Sequence, residues 1–407
     1  MRVLAVDIGT GTQDILLFDS QQPIENALQL IVPSPTQIAA GRIRAATRHG
    51  DPVVVTGVLS GGGPCHWALE DHLKAGLPAF ATAEAGATFD DDLESVERMG
   101  VTLVSDDEAA RTNGSRVVLR DLDLDAIRSA FAAFDVDTRF DGLALACLDH
   151  GAAPPGYSDR LFRFEHMRRV VEARNDLRAF ACLPDELPDY LTRARAVLAA
   201  AGDGVPAVFL DSGPAAALGA LQDPQVAARD EQLVLNLGNM HALAFHLRGT
   251  EIVSLYEHHT GEVTAEQLVD FTRRLASGDL AHEEVFESKG HGVYYAALSA
   301  HPEPVKGPRS HRHSERRGAA RRISASSGRT AGRRAPSSPE APQGDVPLVA
   351  VTGPRRAKLR GSALDPYFAV PHGDMMVSGC FGLLWAFAEK HPRHAEEILP
   401  ALGVSER

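Results

Sequence analysis

Closely spaced cysteines are missing from this chain. The four present, Cys65, Cys147, Cys182 and Cys380, stand dozens of residues apart. No C-x-x-C pair or C-x-x-x-C-x-x-C triplet exists to hold zinc or an iron–sulfur cluster, and buried, reduced thiols are expected. Long apolar runs are also missing: no stretch approaches the roughly 18 uninterrupted apolar residues of a membrane helix. Met1-Arg2 leads straight into a strand-like segment with no signal-peptide cleavage pattern. These two absences predict a soluble, cytoplasmic protein without membrane contact. The third absence is an excess of positive charge. A net charge of −13 argues against a general nucleic-acid binder, because a phosphate backbone is held chiefly by surplus Lys and Arg.

What is present is a chain of 407 residues, 44% of them hydrophobic, enough for two or three domains of about 150 residues each. The charge is uneven. Residues 303–345 carry ten Lys or Arg against four Asp or Glu, with only Val305 and Ile323 as aliphatics larger than Ala. Such a tract cannot bury enough apolar surface to offset its ordering entropy, and disorder is expected. It reads as a basic insertion or as the product of a local frame shift in GC-rich coding sequence. The abrupt return of globular sequence at "VPLVAVTGPRR" tips the balance toward the second.

Elsewhere strand-like and helix-like segments alternate. "RVLAVDIG" and "TQDILLFD" read as paired strands, "PTQIAAGRIRAATRHG" has helical spacing, and "DPVVVTGVL" is a short β-branched run of the buried kind. "DLDAIRSAFAAFD" reads as a helix before the strand "FDGLALACLD", whereas residues 89–107 have no clear pattern. A second series opens with "PAVFLDSGPAAALGAL", a strand turning into an Ala-rich helix, and continues through "EQLVLNLGN" and "MHALAFHLRG". The halves rhyme in order: strand, Gly turn, strand, further strand, helix. Two related α/β lobes with a crevice between them are predicted, one over 1–200 and the other over 201–302 and 346–407.

The chemistry concentrates in the turns. In "DIGTGTQD", Gly9 and Gly11 are expected to adopt positive φ and let a ligand approach the backbone, while Thr10, Thr12 and Gln13 add side-chain donors. Successive N–H groups in such a turn form an anion nest. Asp7 beside a phosphate requires a divalent cation between them, so the stretch reads as a metal–phosphate site; a plain hairpin is the alternative. "SGGGP" supplies Gly61, Gly62 and Gly63 after a buried strand, as a substrate-facing backbone or a simple flexible loop. Asp149 and His150 fall at the end of another strand, the edge where open α/β sheets bind ligands. His372 and Asp374 repeat that pairing in "PHGDMM". His150, His241, His258, His259, His291 and His372 all lie near predicted turns. No two have the helical i, i+4 spacing with an intervening Glu that marks a metalloprotease, and a dedicated transition-metal site is not expected. Met375 and Met376 read as the start of a core helix.

Taken together, the Asp-x-Gly-Thr-x-Thr turn, "FLDSGPAAALGAL", "LNLGNMHALAF" and "VAVTGPRR" resemble, in order, the first phosphate, connecting, second phosphate and adenosine motifs of the actin, Hsp70 and sugar-kinase ATPase superfamily. More narrowly, these stretches with "SGGGP", "LDHGAAPPGYSDRLFR" and "PHGDMMVSGCFGLL" resemble a prokaryotic family labelled pyruvate formate-lyase activating protein, over nearly the whole chain except the basic tract. The wider resemblance implies two RNase H-like lobes around a central cleft that binds ATP and Mg²⁺. Gly9, Thr10, Gly11, Thr12 and Gln13 would grip phosphates and Asp7 would hold the metal. Asp211, Gly213, Gly238 and Asn239 would close from the second lobe, with Gly353 and Arg355 near the nucleoside. Asp149 and His150 would act on an acceptor near Gly61, Gly62, Gly63, His372 and Asp374. The implied activity is a small-molecule kinase or phosphohydrolase, with an ATP-dependent activator of a partner enzyme as the alternative. The acceptor or protein partner stays unnamed. A radical-type activase is rejected, because it needs three closely spaced thiolates. Two departures, Asn236 where relatives place an acid and Pro354 where they place a second Gly, keep open a degenerate fold that binds a metabolite without ATP.

Overall fold

The computed structural model describes residues 1–202, 204–296 and 347–404; the basic tract at 303–345 lies outside them. Local signals explain where the elements stop and start. The Pro35–His49 helix opens with Ser34 as N-cap and Pro35 in its first turn, and closes on Gly50 at φ 76°, as capping physics requires. Residues 89–107, without pattern in the sequence, hold two short helices, Leu93–Arg98 and Asp106–Arg111, the second fixed by a Ser105/Glu108 capping box.

Strands β1 (Arg2–Ile8), β2 (Thr12–Asp19) and β3 (Leu28–Pro33) form an antiparallel meander. The chain then leaves this sheet to build a separate, all-parallel one from β4 (Val53–Gly57), β5 (Ala79–Ala81), β6 (Val101–Leu103) and β7 (Ser115–Leu119), in the order β6-β5-β4-β7. It returns with β8 (Gly142–Cys147) and β9 (Ala207–Asp211), both parallel to β1. The first sheet therefore runs β3-β2-β1-β8-β9. Every residue of β8 and β9 is buried, which is why "GLALAC" and "AVFLD" are continuous apolar runs. Because β9 ends at Asp211, the first lobe extends past residue 200, where the sequence placed its end.

The second sheet repeats the pattern. β10 (Glu231–Leu237), β11 (His241–Arg248) and β12 (Glu251–His259) form the meander, and β14 (Leu348–Thr352) and β15 (Tyr367–Phe368) add in parallel beside β10. β13 (Gly292–Tyr295) extends the far edge beyond β12. Two sheets with this shared order make the protein an α/β fold of two RNase H-like lobes.

The lobes share one core. Val3, Ala5, Val208 and Leu210 of the first sheet and Val234, Phe245 and Ala350 of the second pack in a single cluster with the Ser212–Ala220 and Ser378–Lys390 helices. These helices approach most closely at two glycines. A Cβ on Gly219 would stand 1.7 Å from the Ser378 carbonyl oxygen, and one on Gly382 1.9 Å from that of Ala215. The second helix begins at Ser378, so Met375 and Met376 precede the core helix instead of opening it. Among the described residues no helix is long and apolar enough to cross a membrane.

Candidate functional site

Both lobes build the same turn at the same place. After β1, the Gly9 N–H donates to the Thr12 carbonyl at 3.0 Å; after β10, the Gly238 N–H donates to that of His241 at 2.9 Å. Neither Gly9 nor Gly11 has a positive φ, which corrects the expectation for this turn. Glycine is required by proximity instead. A Cβ on Gly9 would lie 2.8 Å from the Thr12 carbonyl, and one on Gly11 2.3 Å from Asn239 Nδ2. The two turns thus touch across the cleft. Ser34 secures the first, donating its hydroxyl to the Thr10 carbonyl at 2.7 Å.

A small cavity of about 100 Å³ lies on one side of the paired turns and a larger one of about 440 Å³ on the other. Gly9, Thr10, Ser212, Asn236, Gly238 and Asn239 line both, so the turns form the wall between them. Asp7 and Thr10 therefore face a cleft, not open water.

On the small side, Asp7 lies directly opposite Asp14 in the β1–β2 pair. Asp7 Oδ1 accepts the Ser212 hydroxyl at 2.6 Å, and Oδ2 rests over the bare backbone of Gly379, whose Cβ would be 2.2 Å away. Desolvation, then the Asp14 charge, pushes Asp7 up to about 7. Asp14 is pushed up to about 6, chiefly by desolvation with Asp374 adding to it, and its Oδ1 is buried without a partner. Two crowded carboxylates with an orphaned oxygen fit a hard divalent cation. The helices starting at Ser212 and Ser378 begin on this wall, the second without a side-chain cap, and direct positive dipole ends toward it, which suits an anion. Asp14 escaped the sequence reading, although hairpin register alone places it opposite Asp7.

Gly353, at φ 92°, approaches Asn236 Oδ1 and the Leu237 carbonyl so closely that a Cβ would stand 2.6 and 2.5 Å from them. The arginine lining the small cavity is Arg356, held by its bond to the Gly353 carbonyl at 2.9 Å; Arg355 is exposed and outside both cavities. Gln13 also faces neither cavity, bonding the Pro33 carbonyl at 3.3 Å.

The larger cavity gathers Gly61, Gly62, Gly63, Asp149, His150 and Gly213. The glycine loop is anchored, not floppy: both oxygens of buried Asp121 accept from the Gly61 N–H at 3.1 Å, and Arg193 pairs with Asp121 at 2.7 Å. Asp149, expected to act on the acceptor, and Asp211, expected to close on the phosphates, are both held by neighbours. Asp149 accepts from the Gly151 N–H at 2.8 Å and the Ala194 N–H at 2.9 Å. Asp211 caps its helix through the Gly213 N–H at 3.0 Å and pairs with Arg163 at 2.8 Å. They position backbone and arginine. Asp91 and Asp159, both exposed and lining the cavity, have no partner for their carboxylates among the described residues; desolvation followed by Asp159 pushes Asp91 up to about 6. His372 and Asp374 are not part of this cavity. His372 bonds Gln222 Oε1 at 2.9 Å, while Asp374 lies toward Asp14.

Sequence reasoning also missed Arg163. Fully buried, it donates to both oxygens of buried Glu257 at 2.8 and 2.9 Å, to Asp211 and to the Asp149 carbonyl at 2.9 Å. One guanidinium thereby joins β12 of the second lobe to the ends of β8 and β9 of the first. Glu257 in turn accepts from His241 Nδ1 at 2.8 Å. The visible signal was Glu257 itself, a charge inside the apolar run "EIVSLYEHH".

Comparison with solved structures finds a ROK hexokinase from Thermus thermophilus, at 14% identity over 62% of this chain and 48% of that one, with a TM-score of 0.23. It also finds the Listeria monocytogenes Lmo2764 protein, titled "a putative N-acetylmannosamine kinase", at 10% identity over 62% and 49% with a TM-score of 0.24. The chain spans about half the length of each, and at these scores neither carries an argument about this site. No curated protein matches. A family model does match, over residues 60–312, and the chain belongs to that family, described as "Putative pyruvate format-lyase activating enzyme (DUF1786)".

Proposed function

We propose that the protein binds ATP with Mg²⁺ at the paired turns and transfers the terminal phosphoryl group to a small-molecule acceptor in the larger cavity, or to water. The reading rests above all on one observation: two glycine turns meet at Gly11 and Asn239 beside the crowded Asp7 and Asp14 carboxylates. Asp7 and Asp14 would hold Mg²⁺, which neutralises phosphate charge. Backbone N–H groups of the two turns, with Thr10, Thr12, Asn239 and the helix ends at Ser212 and Ser378, would orient the phosphates. The small cavity suits phosphate and ion only, so the nucleoside would extend past Gly353, Arg356 and Met376. On the acceptor side, Asp91 has a free carboxylate poised near neutrality, as a general base requires.

The family's label implies a different chemistry. A radical activase needs a cluster of thiolates, whereas Cys65, Cys147 and Cys380 are buried singly in different elements with burial raising each thiol. Among the described residues no group of potential metal ligands includes a cysteine. An ATP-driven activator of a partner enzyme remains the second reading, favoured by Arg163, which couples the lobes next to Ser212. The 440 Å³ cavity with its polar lining favours a small acceptor.

Isothermal titration of the folded protein with ATP and Mg²⁺ is the test. Saturable binding lost in Asp7→Ala supports the reading; no binding sinks it. Phosphate transfer to a member of a metabolite library separates kinase from activator.

A further inference from the structure

The larger cavity ends in a group of histidines, of which only His150 entered the ATP reading, as an acceptor-side residue expected from the sequence. His150 follows β8, His241 opens β11, His259 closes β12 and directly faces His241 across the pair, and His291 precedes β13. Four separate stretches of chain thus deliver four imidazoles to one point, an arrangement that sequence spacing cannot reveal. Ring centroids lie 5.0 Å apart for His150 and His241, 5.0 Å for His241 and His291, and 4.7 Å for His259 and His291. One nitrogen each from His150, His241 and His291 falls within 4.8 Å of the other two.

Two features separate this cluster from an ordinary stack of core histidines. His291 is fully buried, and among the described residues neither of its ring nitrogens has a hydrogen-bond partner, a costly state for a polar group unless something else satisfies it. His241 donates Nδ1–H to Glu257, itself buried and pinned by Arg163. That bond fixes the tautomer and turns the free Nε2 lone pair away from Glu257, the carboxylate–histidine arrangement that orients metal ligands.

We propose that His150, His241 and His291 form a binding site for a divalent transition ion of the zinc class, with Glu257 orienting His241 and His259 beside it as a further ligand. Imidazole nitrogens without a carboxylate in direct contact favour such an ion over Mg²⁺ or Ca²⁺. Tetrahedral zinc, with nitrogens at about 2.0–2.1 Å, places them roughly 3.4 Å from one another. The three rings would close by about an ångström or slightly more, within reach of small side-chain rotations. Because His150 and His241 line the larger cavity, an ion held by three histidines would present an open position to whatever binds there. This site is independent of the nucleotide and shares no ligand with Asp7 or Asp14.

The test uses the full chain, stripped with chelator and titrated separately with Zn²⁺ by calorimetry and with Co²⁺ by visible absorption. The expected result is one ion per chain at micromolar affinity or tighter, with the d–d bands of four- or five-coordinate cobalt. His291→Ala should weaken binding at least a hundredfold, and Glu257→Gln about 10- to 100-fold. His150→Ala, at a position less buried than His291, is the milder variant and should also lose the cobalt spectrum, with circular dichroism confirming its fold. Absence of stoichiometric binding overturns the proposal, as does binding that survives both His150→Ala and His291→Ala, which would place the ion on other ligands. Mg²⁺–ATP binding measured on the same samples is expected to persist, so failure here is distinguishable from failure of the nucleotide reading.

Discussion

Replacing Asp14 by Asn should make the metal-free protein more stable above neutral pH while removing its Mg²⁺-dependent nucleotide binding. In the unfolded chain Asp14 ionises near its ordinary 3.8, and in the folded protein at about 6, because desolvation and then Asp374 oppose its charge. Between those values the folded protein keeps a proton that the unfolded chain has lost. Stability therefore falls as pH rises through the window and stays low above it. At about 1.4 kcal/mol for each tenfold change in the ionisation equilibrium, the loss is about 3 kcal/mol at pH 8 and about 1 kcal/mol at pH 4.5. Asn is neutral at both, so Asp14→Asn should be about 2 kcal/mol more stabilising at pH 8 than at pH 4.5. Urea unfolding in excess chelator at the two pH values reads the difference directly, with Mg²⁺ titration on the same samples. An equal effect at both pH values, or destabilisation greater at pH 8, would refute the account of Asp14 as an unsatisfied carboxylate awaiting a cation.

Gly11→Ala should weaken ATP binding at least tenfold in calorimetry. Its Cβ meets Asn239 Nδ2, a side-chain end that can rotate away, so stability should change by less than about 1 kcal/mol. Gly382→Ala is the opposite case: its Cβ meets the Ala215 carbonyl at 1.9 Å, a rigid contact between crossing helices. A loss of about 1–3 kcal/mol or more is expected in the urea midpoint. Arg163→Met should cost about 3–5 kcal/mol at neutral pH by leaving Glu257 buried and unpaired. In the native protein desolvation opposes the charge of Glu257, but Arg163 and the hydrogen bond from His241 outweigh it and hold Glu257 well below its usual range, so its contribution is present above the ordinary carboxylate pKa and is lost as pH falls through the folded value. In the variant that dependence should reverse, with acid restoring part of the lost stability.

The fold was legible where periodicity and turn chemistry act locally. The buried runs of β8 and β9, the Ser34–Pro35 helix start and the two Gly turns all announce themselves within a few residues. The parallel sheet of β4, β5, β6 and β7 was not recognised as separate, because three-residue strands such as β5 and β6 carry too little pattern. The site divided along the same line. Asp7, Gly9, Thr10 and Gly238 lie in contiguous motifs, whereas Arg163, Glu257, Asp91 and the histidines meet only through sheet pairing and long crossovers. Arg355 was a miss of one position, since the backbone after Gly353 turns Arg356 inward and leaves Arg355 in solvent. His372 looked like a second copy of the Asp149–His150 pair, but its ring belongs to a hydrogen bond with Gln222.

The equivalence of the two turns bears on whether Asn236 and Pro354 mark a fold that has lost ATP. Matching hydrogen bonds align Gly9 with Gly238 and Thr12 with His241, and hence Asp7 with Asn236. An acid at 236 would add a further negative charge to a wall already shared by Asp7 and Asp14, with Asp374 nearby. Two carboxylates match the charge of one divalent cation; a third would be desolvated without a partner. Asn236 is therefore compatible with the proposed site, in which Asp14 supplies the second carboxylate from within the first lobe. Pro354 is no obstacle either, because the close approach to β10 is made one residue earlier by Gly353. With the charge gathered in the first lobe, the position matching Thr12 is free to carry an imidazole, and His241 points the second lobe's chemistry at the larger cavity.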